Sequence, residues 1–225
     1  MTDVEVLKVF TGPDGRGGNP LGILLDGRAV PEERRQSVAA ALGFSETVFV
    51  DDPATGRIRI FTPARELPFA GHPTVGTGWF LRSRGFEGGV LRPPAGDVVT
   101  WQDGDLSWIR ARPSWVHRID TEQLATAADV ESLTGPPAGG SASWYPWAWI
   151  DEQAGVLRSR YFVAEFGIAE DEATGAAAVL MGGMLRRRLE IRQGRGSVLL
   201  VRPGPDDTVE VGGRVERVEV RPLPA

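Results

Sequence analysis

The stretch "RIFTPARELPFAGHPTVGTGWFL", Arg59 to Leu81, decides how this chain reads. It begins as a strand, passes through a polar loop and opens a helix at a glycine–histidine–proline step. His72 is one of only two histidines in the chain, and Gly71, Gly76 and Gly78 crowd the same short segment.

A second stretch repeats that plan. Arg160-Tyr161-Phe162 leads through "AEFGIAEDEAT" to Gly175 and another small-residue helix. The echo hints at two pseudo-equivalent α/β lobes of roughly 100 residues each. If both helices aim their N-termini at one cleft, free N–H groups and two positive dipole ends converge there. That is a pocket for a carboxylate or a developing oxyanion. Glycine at each entrance lets a ligand approach the backbone, or simply permits a tight turn.

Around these anchors the elements alternate. "VEVLKVFT" is strand-like, "GPDGRGGNP" reads as a loop and "LGILLDG" as the next strand. "PEERRQSVAAALG" is a helix, with Pro31 and two glutamates in its first turn and Gly43 at its end. "SETVFV" and "RIRIFTP" are strands, and the helix from Gly71 closes at Gly85. Short strands follow from Val90 to Val156, with one helix expected in "DTEQLATAADVESLTG". "RSRYFV" reads as a strand, "EATGAAAVLMGGMLRRR" as a helix and "SVLLVRP" as a strand. "TVEVGGRVERVEVRP" reads as a hairpin turning on Gly-Gly. The face of Tyr145, Trp147 and Trp149 in "SWYPWAWI" suits core or subunit-interface packing, or the wall of a substrate pocket.

Composition removes several chemistries. Without cysteine there is no disulfide, thiolate nucleophile or thiolate-held metal. Two histidines make a multi-histidine metal site unexpected, so no metal is assigned. Lys8 is the only lysine. "GHPTVGTG" has P-loop glycine spacing but continues with threonine and glycine in place of lysine and a hydroxyl residue. No G-x-S-x-G elbow or Rossmann fingerprint is present. A net charge of −5 argues against a nucleic-acid partner, and "LRRRLE" suits the cationic end of a helix. No apolar run is long enough for a membrane span or a signal peptide, so the expected location is cytoplasmic.

The remaining acid–base candidates are few. Alternation in "FSETVFV" puts Glu46 on the face of Phe44, Val48 and Val50. It is either a solvated strand-start residue or a partly buried carboxyl whose pKa rises towards neutrality, as a proton shuttle needs. Asp171 lies between two glutamates before the second helix, as a helix-start acid in a solvated loop or as something more specific. Asn19, the only asparagine, is a turn residue or a ligand-facing amide. His117 in "SWVHRID" has no polar constellation near it in sequence and is given no role.

Together "VFTGPDGRGGNPLGILLDG", "GFSETVFV", "RIFTPARELPFAGHPTVGTGWFL", "YFVAEFGIAEDEATGAAA" and "IRQGRGSVLLVRP" resemble the PhzF-like phenazine-biosynthesis isomerases. These stretches cover about half of the chain, in the family's order. The resemblance implies an α+β, diaminopimelate epimerase-like fold: two pseudo-symmetric lobes, each a β-barrel-like sheet around a central helix. Residues 1–97 would form the N-terminal lobe and 98–225 the C-terminal lobe, with a last strand able to return to the first. It implies a homodimer, no cofactor and a small carboxylate substrate such as trans-2,3-dihydro-3-hydroxyanthranilate, on which hydrogen moves from C3 to C1. Carried over, Glu46 is the general base and then acid, and His72 and Asp171 position the substrate. The N–H groups near Gly71, Gly175 and Ala176 bind its carboxylate. Related epimerases carry paired cysteines at the helix starts where this chain has glycine. The family commonly reads aspartate–proline–x–threonine–glycine–serine where this chain has "DEATGA", so Ala176 lacks a hydroxyl and Glu172 replaces proline. The chain is also shorter than typical members. An alternative reading is a non-catalytic carboxylate-binding or regulatory protein on the same fold.

Overall fold

In the computed structural model of the chain, residues 3–164 and 168–223 are described. Glu165–Gly167, inside the second glycine-led stretch, lie outside the described residues. The elements in order are β1 (Asp3–Thr11), β2 (Gly17–Leu24), α1 (Glu32–Leu42), β3 (Glu46–Asp52), β4 (Arg57–Phe61), β5 (Glu66–Leu67) and α2 (Gly71–Ser83). Then come β6 (Val90–Leu91), β7 (Val98–Asp103), β8 (Leu106–Ala111), β9 (Asp120–Gln123), α3 (Ala127–Ser132), β10 (Trp144–Asp151) and β11 (Val156–Ser159). The chain ends with α4 (Gly175–Leu185), β12 (Leu189–Gln193), β13 (Ser197–Pro203) and β14 (Val209–Pro222).

One large sheet runs β5-β4-β3-β2-β1-β14-β13-β12-β11-β10-β9, and β8, β7 and β6 branch from β14. Most neighbours are antiparallel, but β2–β3, β9–β10 and β11–β12 are parallel. The fold is thus α+β with a dominant sheet. Two helices lie within its curve. α2 packs on β1, β2, β3, β7, β8 and β14, and α4 packs on β13 and β14.

Both helices are made of small or apolar residues nearly all round, the pattern of a helix without a solvent face. Gly76 is needed where α2 meets Leu21 and Val9, because a Cβ there would overlap both side chains. Gly182 plays the same part between α4 and Val201 and Val209. By contrast α1 covers only the outer face of the sheet, burying Val38, Ala39 and Leu42 with Val4, Leu24, Phe49 and Phe61. Its Gly43 terminus is left-handed, with φ 70°.

Four local expectations change. The "GGNP" end of the expected loop belongs to β2, where Asn19 and Pro20 pair with Val9 and Lys8. The helix expected over "DTEQLATAADVESLTG" is a strand followed by six residues of helix, started by a Thr126–Asp129 capping box. The strand expected over "RSRYFV" stops at Ser159, leaving only a bridge at Phe162. The Gly-Gly hairpin is instead one continuous strand, β14. Gly212 lies against the ring of Trp108 and Gly213 against Phe10, so these glycines make room for aromatic rings rather than a turn.

Candidate active site

α2 and α4 meet at their N-termini. A Cβ on Gly175 would come within 2.7 Å of Gly71 Cα and of His72 N, so backbone touches backbone. The two glycines therefore leave no gap where a cysteine would stand; the facing helix end fills it. Neither helix has a side-chain cap: Ala70 has no capping group, and the Thr174 hydroxyl is used elsewhere. Pro73 in the first turn of α2 has no N–H to satisfy. The first-turn N–H groups that remain give this junction its positive end.

A cavity of about 20 Å³ opens at the junction, room for about one water. Glu46, Gly71, His72, Asp171, Gly175 and Ala176 all line it. Asn19 stands behind them, 1% exposed. Its Nδ2 donates to Asp171 Oδ1 at 2.6 Å and to the Ala173 carbonyl at 3.0 Å, while its Oδ1 accepts from Ser45 Oγ at 2.8 Å. The only asparagine thus holds the acidic residue before α4 to the strand that leads to Glu46.

The acidic run "EDE" divides three ways rather than forming a solvated loop. Glu170 pairs with Arg160 at 2.6 Å. Glu172 accepts from the Arg195 backbone N–H at 2.6 Å and from Ser197 Oγ at 3.0 Å. Asp171 turns inward, 4% exposed, and accepts from Thr174 Oγ1 at 2.5 Å. Gln193 completes this frame, donating to the Asp171 carbonyl at 2.9 Å and accepting from Thr174 N at 3.1 Å. Burial lifts the Asp171 carboxyl to about 6; the Thr174 and Asn19 hydrogen bonds restrain it, and neighbouring Glu172 and Glu170 charges add to the rise.

Glu46 and His72 carry the two unpartnered atoms of the site. Glu46 Oε2 and His72 Nε2 are both buried without a hydrogen-bond partner, and they face each other at 3.4 Å. Burial pushes the imidazole down to about 3, against a hydrogen bond to the Pro20 carbonyl, so His72 is neutral. Burial, then the Asp171 charge, raises the Glu46 carboxyl well above its usual range, with Ser45 opposing. The contact is therefore not an ion pair. The Asn19 amide nitrogen lies 3.2 Å from Nδ1, while Nε2 faces the Glu46 carboxyl. A carboxyl with a raised pKa beside a neutral imidazole is placed to take up and return a proton.

Sequence reading missed Ser45, Tyr161, Thr174 and Gln193, and gave no role to His117, which also lines the cavity. Thr174 and Gln193 sit in the stretches "EATG" and "IRQGRG", but no local pattern marks their partnership across 19 positions. Among the described residues no cluster of histidine and acidic side chains is placed to hold a metal. No helix among them is long and apolar enough to cross a membrane.

Comparison with known proteins agrees with the fold. Residues 7–100 match the family model for phenazine biosynthesis-like proteins. The trans-2,3-dihydro-3-hydroxyanthranilate isomerase of Pseudomonas aeruginosa is 29% identical over 216 residues, spanning 79% of this chain and 78% of that protein. A predicted epimerase of P. aeruginosa has the same fold, with TM-score 0.76 at 23% identity over 99% of each chain. A hydroxyproline epimerase of Agrobacterium vitis, solved with trans-4-hydroxy-L-proline, aligns at TM-score 0.63 and 12% identity, over 98% of this chain and 91% of that one. Over residues 7–100 the chain is similar to the phenazine biosynthesis-like family, and the curated relatives it matches include named isomerases.

Proposed function

We propose that the chain is a cofactor-independent isomerase. It shifts one proton within a small cyclic amino or carboxylic acid of the trans-2,3-dihydro-3-hydroxyanthranilate type. The observation that carries this reading is the buried, unpartnered Glu46 Oε2 facing the neutral His72 ring at 3.4 Å. As a carboxylate, Glu46 takes the proton from an activated ring carbon, C3 in the dihydro acid. As a carboxylic acid it returns that proton to C1, so nothing leaves and no oxidant is needed. The substrate carboxylate lies at the uncapped starts of α2 and α4, near Gly71, Gly175 and Ala176. His72 and Asp171 hold the amino end, and Asn19, Thr174 and Gln193 hold Asp171. The reading is of a homodimer of two-lobed subunits, residues 1–97 and 98–225.

Incubating the chain in D₂O with trans-2,3-dihydro-3-hydroxyanthranilate and related cyclic acids tests this by NMR. Deuterium gained at a ring carbon supports it. The second reading, a binding protein without turnover, is favoured by Ala176, which brings no hydroxyl to the cavity. It predicts calorimetric binding of such acids with no exchange.

A further inference from the structure

The cavity has a second polar pole, which the proton shuttle leaves idle. Tyr161 is 1% exposed, and its hydroxyl lies 2.7 Å from Ser143 Oγ and 3.0 Å from His117 Nε2. Tyr161 and His117 line the same cavity as Glu46, His72 and Asp171, and Leu67, Phe69, Val163 and Ile168 add an apolar wall. An apolar site with a few fixed polar groups selects ligands by where their polar substituents fall.

His117 also lines a second chamber. An outer basin of about 400 Å³ is bounded by His117, Arg118, Asp120, Ser141 and Ser143, with Arg65 at its edge. Among the described residues, His117 is the lining residue that the two chambers share. The inner cavity has room for about one water, far less than a six-membered ring requires. A ring held by its carboxylate at the helix junction must displace part of the wall. The side with room beyond it is the side of His117.

We propose that His117 is a specificity-determining residue. It hydrogen-bonds a second polar substituent, such as a hydroxyl, on the side of the substrate away from its carboxylate. The substrate class narrows to cyclic acids with an oxygen or nitrogen group at the far side of the ring. The position of the carboxylate rests on the isomerase reading; the contact to His117 is a separate binding property. Ser143, which joins Tyr161 to the Arg118 carbonyl at 3.3 Å, holds the phenol in register.

Calorimetry with benzoate, 3-hydroxybenzoate and 4-hydroxybenzoate tests the contact without needing turnover. At least one hydroxy acid is expected to bind about fivefold or more tighter than benzoate, the scale of one neutral hydrogen bond. His117→Ala removes that advantage, so that the hydroxy acid and benzoate bind within about twofold of each other. His117→Gln, which keeps a donor and an acceptor, retains part of it and guards against a folding defect in the alanine variant. The proposal is overturned if neither hydroxyl improves binding to the unaltered chain, or if the advantage survives in His117→Ala. Failure of the isomerase reading alone looks different: no deuterium exchange, with the hydroxyl preference present and still dependent on His117.

Discussion

At Glu46 and His72 the physical chemistry is that of two ionisable groups taken out of water and left short of partners. Desolvation drives both toward their neutral forms, and each then faces the other's unsatisfied atom. The protonation state is directly visible. With only two histidines in the chain, long-range ¹H–¹⁵N NMR should show His72 as a neutral imidazole with no titration between pH 5 and 8. A His72 signal moving with a midpoint near 6.5 would contradict its burial. Glu46 makes a second prediction through stability. Its carboxyl binds a proton more tightly in the folded than in the unfolded state, so the stability it allows at low pH is lost as pH rises through the raised folded value. Glu46→Gln cannot ionise there. It should melt close to the unaltered chain at pH 4 and higher than it at pH 8. An equal offset at both pH values would place the carboxyl in solvent. Strand alternation singled out Glu46 in the sequence, and scarcity singled out His72 and Asn19. The roles of Gln193 and Tyr161 were not legible, because their partners lie in loops 18 to 44 positions away and their own neighbours show no pattern.

At the scale of elements, the meeting of α2 and α4 defines the site. The repeated glycine before a helix was visible in the sequence; that the two helix ends would touch was not. Contact at Gly71 and Gly175 means that the Cβ of any other residue falls on backbone, which cannot swing away as a side chain can. Gly71→Ala and Gly175→Ala should each cost about 1–3 kcal/mol in chemical denaturation. A cost near zero for both would mean that the helix ends stand apart in solution. The misread Gly-Gly pair in β14 has a related cause. Glycine marks both turns and places where something large approaches the chain, and only the ring of Trp108 beside Gly212 distinguishes them.

Across the whole molecule, β14 ties the architecture together. Its first half pairs with β13 and β8, and its second half with β1, so strands from opposite ends of the chain become neighbours. That pairing places β2, and with it Asn19, beside the segment that carries Asp171, 152 positions further along. The α+β class and the order of the main elements were legible from the matching stretches. The long-range path of the sheet was not, since register between distant strands leaves no local trace. The site is consequently a property of the complete fold, and its chemistry must be tested on the complete chain. The most direct measurement is deuterium incorporation from D₂O into trans-2,3-dihydro-3-hydroxyanthranilate, comparing the unaltered chain with Glu46→Gln under identical conditions. If Glu46 carries the proton, exchange at a ring carbon proceeds with the unaltered chain and falls by about 10²-fold or more in the folded variant. Exchange at an undiminished rate in Glu46→Gln would contradict the account.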